Sequence, residues 1–279
     1  MKEQASMRVV QSNFLIEARF KLTLSELKMF LFMIKEIDIN DKDFQEYRVF
    51  IKDFLDVSKS ENYNIYRSVD KITDTFLTHI IKLKQDDDSI NKFCLMSHCN
   101  YKKGRGYITY RFDTDLKPHL LRLKKEFTAY DIANIVHCKS TYSIRIYQLL
   151  KSFEGLKERT ITIEGLKDIL MIKDEYQRFY DFKVNVIDRA HKELKGKQKN
   201  KVKPDLYFEY ALNKKGRTVD SITFTIKKRR QRRLFDSMPI DATEKAKSET
   251  ARLKDPQVVS FSEIKDLKKV NVTCNKGVK

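Results

Sequence analysis

The chain carries one order of elements twice, and the two copies are offset by about 113 residues. Each copy predicts a helix, a short strand, a short helix, a long amphipathic helix and a β-hairpin with a Lys-Gly-Arg turn. The turns are Lys103-Gly104-Arg105 and Lys215-Gly216-Arg217, and glycine supplies the positive φ that a tight hairpin needs. Three helices closed by a basic hairpin predict a winged helix, a fold that commonly holds DNA. Two in tandem indicate a protein that straddles a binding site.

The first copy begins with apolar residues at helical spacing over residues 22–39. Thr23, with Glu26 three residues later, predicts a capping box at the start of this helix. The other predicted elements are a strand, a short helix, a long helix opened by aromatic residues and three strands of one sheet, over residues 47–51, 52–57, 62–77, 79–84, 93–98 and 107–112.

The second copy has its clearest helix over residues 140–153, capped by Ser140. Its long helix is predicted over residues 176–194, opened by Tyr176. The apolar side chains predicted on the buried side of that helix are Phe179, Phe182, Val186, Ala190 and Leu194. Its other face is predicted to present Arg178, Asp181, Asn185, Arg189 and Lys192. The remaining elements are a strand, a short helix and two hairpin strands, over residues 160–163, 164–170, 206–212 and 219–226.

These elements predict an α+β chain of two tandem winged-helix domains, at residues 8–114 and 127–230. Residues 115–126 link them, and Pro118 interrupts or opens a helix in the linker, because proline lacks the amide donor. Periodicity fades after residue 227, so residues 231–279 are predicted to be a flexible basic C-terminal tail.

The formal net charge is +18, and most of it lies in one stretch. Residues 191–233 hold 15 basic and 4 acidic side chains, a net of +11. Such a stretch indicates a polyanionic partner, most often nucleic acid. A solvated lysine-rich surface is the alternative, and it fits the evenly spread lysines but not the concentration in one block.

The four cysteines have no disulfide-framework spacing, and the start of the chain is polar. No apolar run approaches the ~20 residues of a membrane span. We therefore expect reduced thiols, a cytoplasmic location and no membrane partner.

No enzyme class is favoured by the sequence. No Gly-x-x-x-x-Gly-Lys phosphate loop occurs among the seven glycines, and the five histidines never form the His-x-His pair of rolling-circle nicking enzymes. Cys94, His98 and Cys99 lie on a predicted strand and lack the second pair that zinc sites use. We predict no catalytic residue, no cofactor and no metal, against the rival class of a relaxase or primase.

Several runs, in order along the chain, resemble one family. They are FDTDLKP at 112–118, FTAY at 127–130, STYSIRIYQLL at 140–150, FK at 182–183, KGR at 215–217 and ITFTI at 222–226. The set is similar to the iteron-binding replication initiators of theta-replicating plasmids (the RepE and RepB type) over about residues 8–230.

The resemblance implies a replication initiator with two winged helices on one chain. Its monomers would bind directly repeated iterons at a plasmid origin and start strand opening. Its dimers, formed mainly through the first winged helix, would repress the initiator's own gene. Host replication proteins, an initiator and a helicase, would be further partners. The alternative is a winged-helix transcriptional regulator without initiator activity, which would bind an inverted repeat as a stable dimer.

In a winged helix the third helix enters the major groove, where each base pair shows a distinct pattern of donors and acceptors. The candidates on the long helix of the second copy are Arg178, Lys183, Asn185, Arg189 and Lys192. Arginine can fork onto guanine and asparagine onto adenine, although contact with phosphate or solvent is the alternative for each residue. Lys183 lies near the apolar face, where it can snorkel instead.

Other candidates would hold the DNA backbone. Lys214, Lys215 and Arg217 at the second wing are predicted to contact phosphate or the minor groove. Ser140, Thr141 and Tyr142 open a helix whose N-terminus favours phosphate, with simple capping as the alternative. In the first copy the candidates are Arg67, Lys71, Lys102, Lys103 and Arg105. Because that copy is nearly neutral, we expect it to hold backbone or a partner subunit.

The segment Gln231-Arg232-Arg233-Leu234-Phe235 has the Gln-x-x-Leu-Phe form of peptides that dock on the bacterial sliding clamp. Leu234 and Phe235 would fill an apolar pocket and Gln231 would make the orienting polar contact. A basic tail that only adds counterion-release affinity for DNA is the alternative.

Overall fold

The computed structural model of the chain describes residues 7–38, 40–58, 65–84, 89–102, 104–196 and 203–229. Lys103, the predicted tail and its residues Gln231, Leu234 and Phe235 lie outside the described residues, as does the side chain of Arg67. The first half contains, in chain order, β1 (Arg8–Ser12), α1 (Asn13–Glu17), α2 (Leu24–Ile34), β2 (Tyr47–Phe50), α3 (Ile51–Ser58), α4 (Ile65–Thr78), β3 (Ile80–Lys84), β4 (Ile90–Cys94), β5 (Met96–Lys102), β6 (Tyr107–Phe112), a 3₁₀ turn (Thr114–Leu116) and α5 (Lys117–Leu120). The second half contains β7 (Phe127–Asp131), a 3₁₀ turn (Ile132–Asn134), α6 (Thr141–Lys151), β8 (Glu158–Thr162), α7 (Ile163–Ile169), α8 (Phe179–Phe182), a π-helical segment (Lys183–Asp188), α9 (Arg189–Lys195), β9 (Leu206–Lys215) and β10 (Thr218–Lys228).

The two halves have sheets of the same strand order, β2-β6-β5 and β8-β10-β9, and every pairing is antiparallel. In each, the strand that precedes the short helix pairs with the second strand of the closing hairpin. Helices α2, α3 and α4 accompany the first sheet. Three helices accompany the second sheet: α6, α7 and one continuous helix made of α8, the π segment and α9. We call this last one the 179–195 helix. Each half is therefore a winged helix, and the predicted duplication is confirmed.

The first half differs from the prediction in its strands. Residues 79–84 and 93–94 do not join the three-stranded sheet as predicted, because β3 and β4 pair with each other as a separate hairpin. Residues 96–98, at the start of β5, do join it through their pairing with β6. The other edge of β3 bridges to the chain at Arg19. Alternation of apolar and polar residues identified these strands, but it carries no information on which edges pair.

Helix α2 shows how local side chains set its ends. The Thr23 side chain accepts from the Glu26 amide and Glu26 accepts from the Thr23 amide, so the predicted capping box is confirmed. The helix ends at Ile34, five residues earlier than predicted over residues 22–39. Beyond it the carboxylates of Asp38 and Asp41 accept hydrogen bonds from backbone amides, which offers the chain a turn in place of helix.

The N-terminal strand crosses to the second half of the chain. β1 pairs along its whole length with β7, from Arg8 opposite Asp131 to Ser12 opposite Phe127. The predicted linker between the halves is ordered: Pro118 lies in the first turn of α5, so it opens a helix, and Leu120 is buried. The two winged helices are therefore joined by strand pairing as well as by the chain.

Buried polar groups also join the halves. Arg145 of α6 is 4% exposed, donates to the Ala18 carbonyl at 2.7 Å and lies over the Phe20 ring. Burial lowers the pKa of Arg145 to about 10. The Tyr130 hydroxyl accepts from Gln11 at 3.2 Å and from Gln148 at 2.6 Å. Because an unpaired buried polar group costs about 1–3 kcal/mol, these bonds favour one arrangement of the two halves.

Ion pairs surround this buried contact. Arg159 donates to Glu17 at 2.8 Å, and Arg19 donates to Asp168, which also accepts from Lys173 at 3.0 Å. Burial alone would raise the pKa of Asp168, but its bonds with Lys173 and Arg19 lower it. The pairs Arg159–Glu17 and Arg19–Asp168 both join the segment of residues 17–19 to the second half.

The 179–195 helix departs from the regular helix predicted from Tyr176. Tyr176 has φ +56°, outside the helical region, and the helix begins three residues later at Phe179. Its middle is π-helical over Lys183–Asp188. Four fully buried side chains follow one another at steps of four residues: Phe182, Val186, Ala190 and Leu194; Ile187, beside Val186, is fully buried as well. Three α-helical turns take about 10.8 residues and this spacing takes about 12, so one wider turn keeps all four side chains inside.

Candidate nucleic-acid interface

The outer face of the 179–195 helix is largely as predicted. Asn185, Arg189 and Lys192 are exposed, and so is Arg178 at the N-cap. Asp181, predicted on the same face, is only partly exposed, and Phe179, predicted inside, is only partly buried. Tyr180 and Val184, which the prediction placed on neither face, are exposed by 71% and 39%.

Hydrogen bonds hold several of these side chains in place. The Asn185 amide donates to the Asp181 carbonyl at 2.9 Å. Arg189 donates to Glu193 at 3.4 Å and to the Lys139 carbonyl at 3.2 Å, just ahead of α6. Since an arginine has five N–H donors, Arg189 retains donors for a ligand.

A hydrogen-bonded cluster of three residues joins the 179–195 helix to β9. Lys183 donates to Asp188 at 2.7 Å, and the Tyr210 hydroxyl donates to the other oxygen of the same carboxylate. Burial opposes ionisation of Asp188, but the bonds from Lys183 and Tyr210 lower its pKa. The hydrogen bond with Asp188 raises the pKa of Lys183. Lys183 is therefore an internal partner of Asp188 in this structure, and not only a snorkelling side chain.

Glu209 of β9 makes a second set of contacts between β9 and the 179–195 helix. It accepts from Lys195 and from His191, whose ring nitrogen lies 3.1 Å away, and the Lys195 bond lowers the pKa of Glu209. The acidic groups beside the helix, Asp188, Glu193 and Glu209, are thus all neutralised by cations of the same helix. The remaining cations face solvent without competition from these acids.

The second wing ends in a two-residue loop, Gly216-Arg217, and Gly216 has φ +64° as predicted. Lys214, Lys215 and Arg217 at this tip are all exposed. Within the described ranges, none of the three has an ion-pair partner, and the same holds for Arg178 and Lys192. These five exposed cations lie on the 179–195 helix and at the wing tip.

The residues at the start of α6 differ in burial and in their contacts. Ser140 is 6% exposed and its hydroxyl accepts from the Tyr142 amide at 3.2 Å, so it caps the helix. Tyr142 is half-buried, packs against Tyr176 and donates to Glu175 at 3.4 Å. Burial, followed by hydrogen bonding to Tyr176, raises the Tyr142 pKa. Thr141 is partly exposed, and Arg189 lies beside this helix start through its bond to Lys139. Phosphate contact by Ser140, Thr141 and Tyr142 stays a prediction.

The first winged helix presents a different surface. Lys71 on α4 is exposed, but so are its neighbours Asp70 and Asp74. Arg67 lies in the first turn of the same helix. At the first wing Lys102 and Arg105 are exposed, and Gly104 and Gly106 have φ +84° and +66°. The charges on this helix are mixed, in agreement with the near-neutral sequence.

The charge count of the basic stretch overstates the available charge. Arg229 donates to the carbonyls of Leu194, Lys195 and Pro204 at 2.8–3.1 Å, so it closes the end of the 179–195 helix. Lys195 is held by Glu209. Arginine capping of helix carbonyls follows no sequence motif, so the prediction had no signal for it.

The described helices include none that combines the length and the apolar character needed to cross a lipid bilayer. In the same parts of the chain, His, Cys, Asp and Glu side chains form no group of three able to hold a metal ion. His98 lies 3.9 Å from Glu46, and burial raises the pKa of Cys99 to about 12.

Two family models match the chain. The model described as "Initiator Replication protein, WH1" matches residues 8–151, and that described as "Initiator Rep protein, WH2" matches residues 162–226. The first match extends beyond residue 114, into the strand that pairs with β1 and through α6. The domain limits predicted at 114 and 127 stay predictions.

Known proteins show the same likeness. A replication initiation protein of Escherichia coli is 24% identical over 233 residues, which are 80% of this chain and 70% of that protein. The crystal structure of the Pi initiator protein in complex with iteron DNA is 18% identical and covers 82% of this chain and 100% of its own, with a TM-score of 0.66. The structural likeness shows the fold, and the family models match most of the chain. The chain belongs to the initiator replication protein family, whose two winged helices are those described above.

Proposed function

We propose that this chain initiates replication of a plasmid by binding directly repeated iterons at the origin. The second winged helix reads the iteron and the first holds DNA backbone or a partner subunit. The observation that carries this proposal is the exposed row of Asn185, Arg189 and Lys192 on the 179–195 helix beside an unpaired basic wing tip. Iteron DNA is the ligand named for the Pi initiator, which has the same fold.

The chemistry of the row fits groove readout. Arg189 can fork onto guanine and Asn185 can accept from adenine, and each good bidentate contact discriminates by about 1–3 kcal/mol. Lys192 suits phosphate, because an ammonium is a point charge on a long stem. Lys214, Lys215 and Arg217 extend the charge along the backbone, where contacts position the protein without reading sequence.

The first winged helix fits a supporting role. The acidic Asp70 and Asp74 on α4 repel phosphate, so this helix is poorly suited to lie deep in a groove. Lys102 and Arg105 at the first wing suit one or two backbone contacts. Strand pairing between β1 and β7, with the Arg145 contacts, supports a fixed spacing between the two winged helices.

Self-association is part of the same proposal. Dimers formed through the first winged helix repress the chain's own gene, and monomers bind the iterons. Exposed apolar side chains on and beside the β3–β4 hairpin, Leu77, Ile80 and Ile90, support a partner surface on this half. Sedimentation with and without iteron DNA tests it, since one unchanged species would count against the dimer. The host initiator, the helicase and the sliding clamp are further proposed partners.

The deciding experiment is a footprint of the purified protein on the DNA that flanks its own gene, at stated salt. Protection of several direct repeats of about 20 base pairs, lost in the variant Arg189→Ala with Lys215→Ala, supports an initiator that reads DNA through the second winged helix. Leu156→Ala, on an exposed loop at the other end of the β10 strand from the wing tip, is the matched control and keeps protection.

Other footprints would point elsewhere. Protection of a single inverted repeat at the promoter would favour the transcriptional regulator. No protection would contradict the DNA-binding assignment. A magnesium-dependent cleavage assay on supercoiled plasmid tests the relaxase class directly, since an initiator without nicking activity leaves the plasmid closed.

A further inference from the structure

Two apolar side chains lie on the polar face of the 179–195 helix. Tyr180 is 71% exposed and Val184, four residues later, is 39% exposed. The outer face of a surface helix normally carries polar residues, whereas this pair stands among Arg178, Asn185 and Arg189. Single exposed apolar residues are ordinary, but two of them one turn apart on the face proposed to enter a groove need a reason.

Folding does not supply the reason. Neither side chain is in the buried core, and in the described part of the chain the Tyr180 hydroxyl has no hydrogen-bond partner. Valine is a poorer helix former than alanine or lysine, because its branched side chain loses rotamer freedom in a helix. Val184 therefore contributes little to the free protein, and its apolar surface gains free energy only when a partner covers it.

The partner of the helix face, on the proposed function, is the major groove of DNA. Thymine is the base that presents a methyl group there, and apolar side chains are its usual protein contacts. Asn185 follows Val184 directly and commits its amide N–H to the Asp181 carbonyl at 2.9 Å. Its carbonyl oxygen is left to accept from the amino group of adenine, which shares a base pair with thymine.

We infer that Tyr180 and Val184 form an apolar patch that reads thymine methyl groups in the iteron, beside a contact from Asn185 to adenine. This inference rests on the proposed function and goes further, because it assigns sequence specificity to two uncharged residues. It requires that A·T pairs lie under the first two turns of the helix. The charged residues further along, Arg189 and Lys192, then contact neighbouring positions.

Deoxyuridine tests the patch, because it removes the methyl group of thymine and leaves every hydrogen bond of the base pair. Each thymine of one protected repeat is replaced in turn, and the dissociation constant is measured for the full chain. At one or two positions the wild type is expected to lose about fourfold in affinity, which corresponds to roughly 0.8 kcal/mol for one buried methyl group. Val184→Ala and Tyr180→Ala are expected to bind thymine and deoxyuridine equally at those positions.

Matched variants separate the patch from general effects. Tyr180→Phe keeps the ring, so it keeps the thymine preference. Leu156→Ala removes an equally exposed apolar side chain from the far loop and also keeps the preference. Alanine at position 184 improves helix propensity, so the variant remains folded, and its melting temperature checks this.

Three outcomes can be told apart. A wild type that binds the repeats but is indifferent to every deoxyuridine overturns the patch and leaves the proposed function intact. The patch is likewise overturned when Val184→Ala and Tyr180→Ala retain the full thymine preference. A wild type that protects no repeat overturns the proposed function itself, and the patch with it.

Discussion

The two winged helices have the same strand order and the same three helices, yet their outward faces differ in charge. Beside the 179–195 helix the carboxylates of Asp188, Glu193 and Glu209 are bonded to cations of that helix, and Lys192 and the wing cations face solvent. On α4, Asp70 and Asp74 are exposed around Lys71. The spacing of buried apolar residues thus determines the fold that the two halves share. Whether the acidic side chains are paired with cations or exposed determines how well each outer face suits DNA.

The largest expected difference between the halves is in the helices. Arg189→Ala should weaken binding to a single direct repeat by about 5- to 160-fold, since one bidentate base contact is worth about 1–3 kcal/mol. Lys71→Ala, at an exposed position of α4, should cost less than about threefold, as expected of one surface charge contact. Fluorescence anisotropy at one fixed salt concentration measures both. Equal losses would show that the two helices enter grooves alike.

The wings should differ in salt dependence. Removing Lys214, Lys215 and Arg217 together should reduce the slope of log affinity against log salt by about two to three, because each phosphate contact contributes roughly 0.9. Changing Lys102 and Arg105 to Ala should reduce it by about one to two, in keeping with one or two phosphate contacts. Titrations from low to physiological salt on the same duplex give both slopes. A larger change from the first wing would reverse the proposed division between the halves.

The features that could be predicted from the sequence are those that depend on residues close together in the chain. The capping box of Thr23, the caps and turns at Ser140 and Gly216, and the order of elements follow from residues a few positions apart. The pairing of β1 with β7 and the burial of Arg145 join residues far apart in sequence, so no local pattern indicates them. The four-residue spacing from Phe182 to Leu194 did carry a signal for the π segment, and it was missed because a regular period was assumed.

The residues of the candidate site also fall into those that local spacing could predict and those that depend on tertiary packing. Arg178, Asn185, Arg189 and Lys192 could be placed on one face because helical phase is local. The pairing of Lys183 with Asp188 and Tyr210 could not, since it depends on how β9 packs against the helix. Tyr180 and Val184 were overlooked because apolar residues in a helix are expected to face inward.

A fixed spacing between the two unlike halves depends on their interface. Asp168→Asn should lower the free energy of unfolding at pH 7 by about 1 kcal/mol, because it weakens the bonds with Arg19 and Lys173. Since the folded-state pKa of Asp168 is lowered, its contribution is complete above the unfolded value of 3.8 and is lost as pH falls through the folded pKa. The free energies of unfolding of the two proteins, measured with denaturant, should therefore begin to approach each other as pH falls below 3.8 and should converge only below the folded-state pKa of Asp168.

Asp174→Asn is the control for this experiment, since it changes an exposed aspartate six residues further along the chain. It should leave the free energy of unfolding unchanged across the same range. A difference between Asp168→Asn and the wild type that persists unchanged in acid would mean that the carboxylate charge is not what joins the halves there.

The smallest expected effect concerns Lys183, a predicted DNA contact whose charge is neutralised within the 179–195 helix. Lys183→Met combined with Asp188→Asn should change affinity by less than about twofold, because the bonded pair carries no net charge and its joint removal leaves the local charge unchanged. Lys192→Met, at an exposed position of the same helix, should cost more, about three- to fivefold for a phosphate contact. Competition binding of the two variants on one duplex resolves the ratio. If the double variant proved the more damaging, Lys183 would have to leave Asp188 and contact DNA directly on binding.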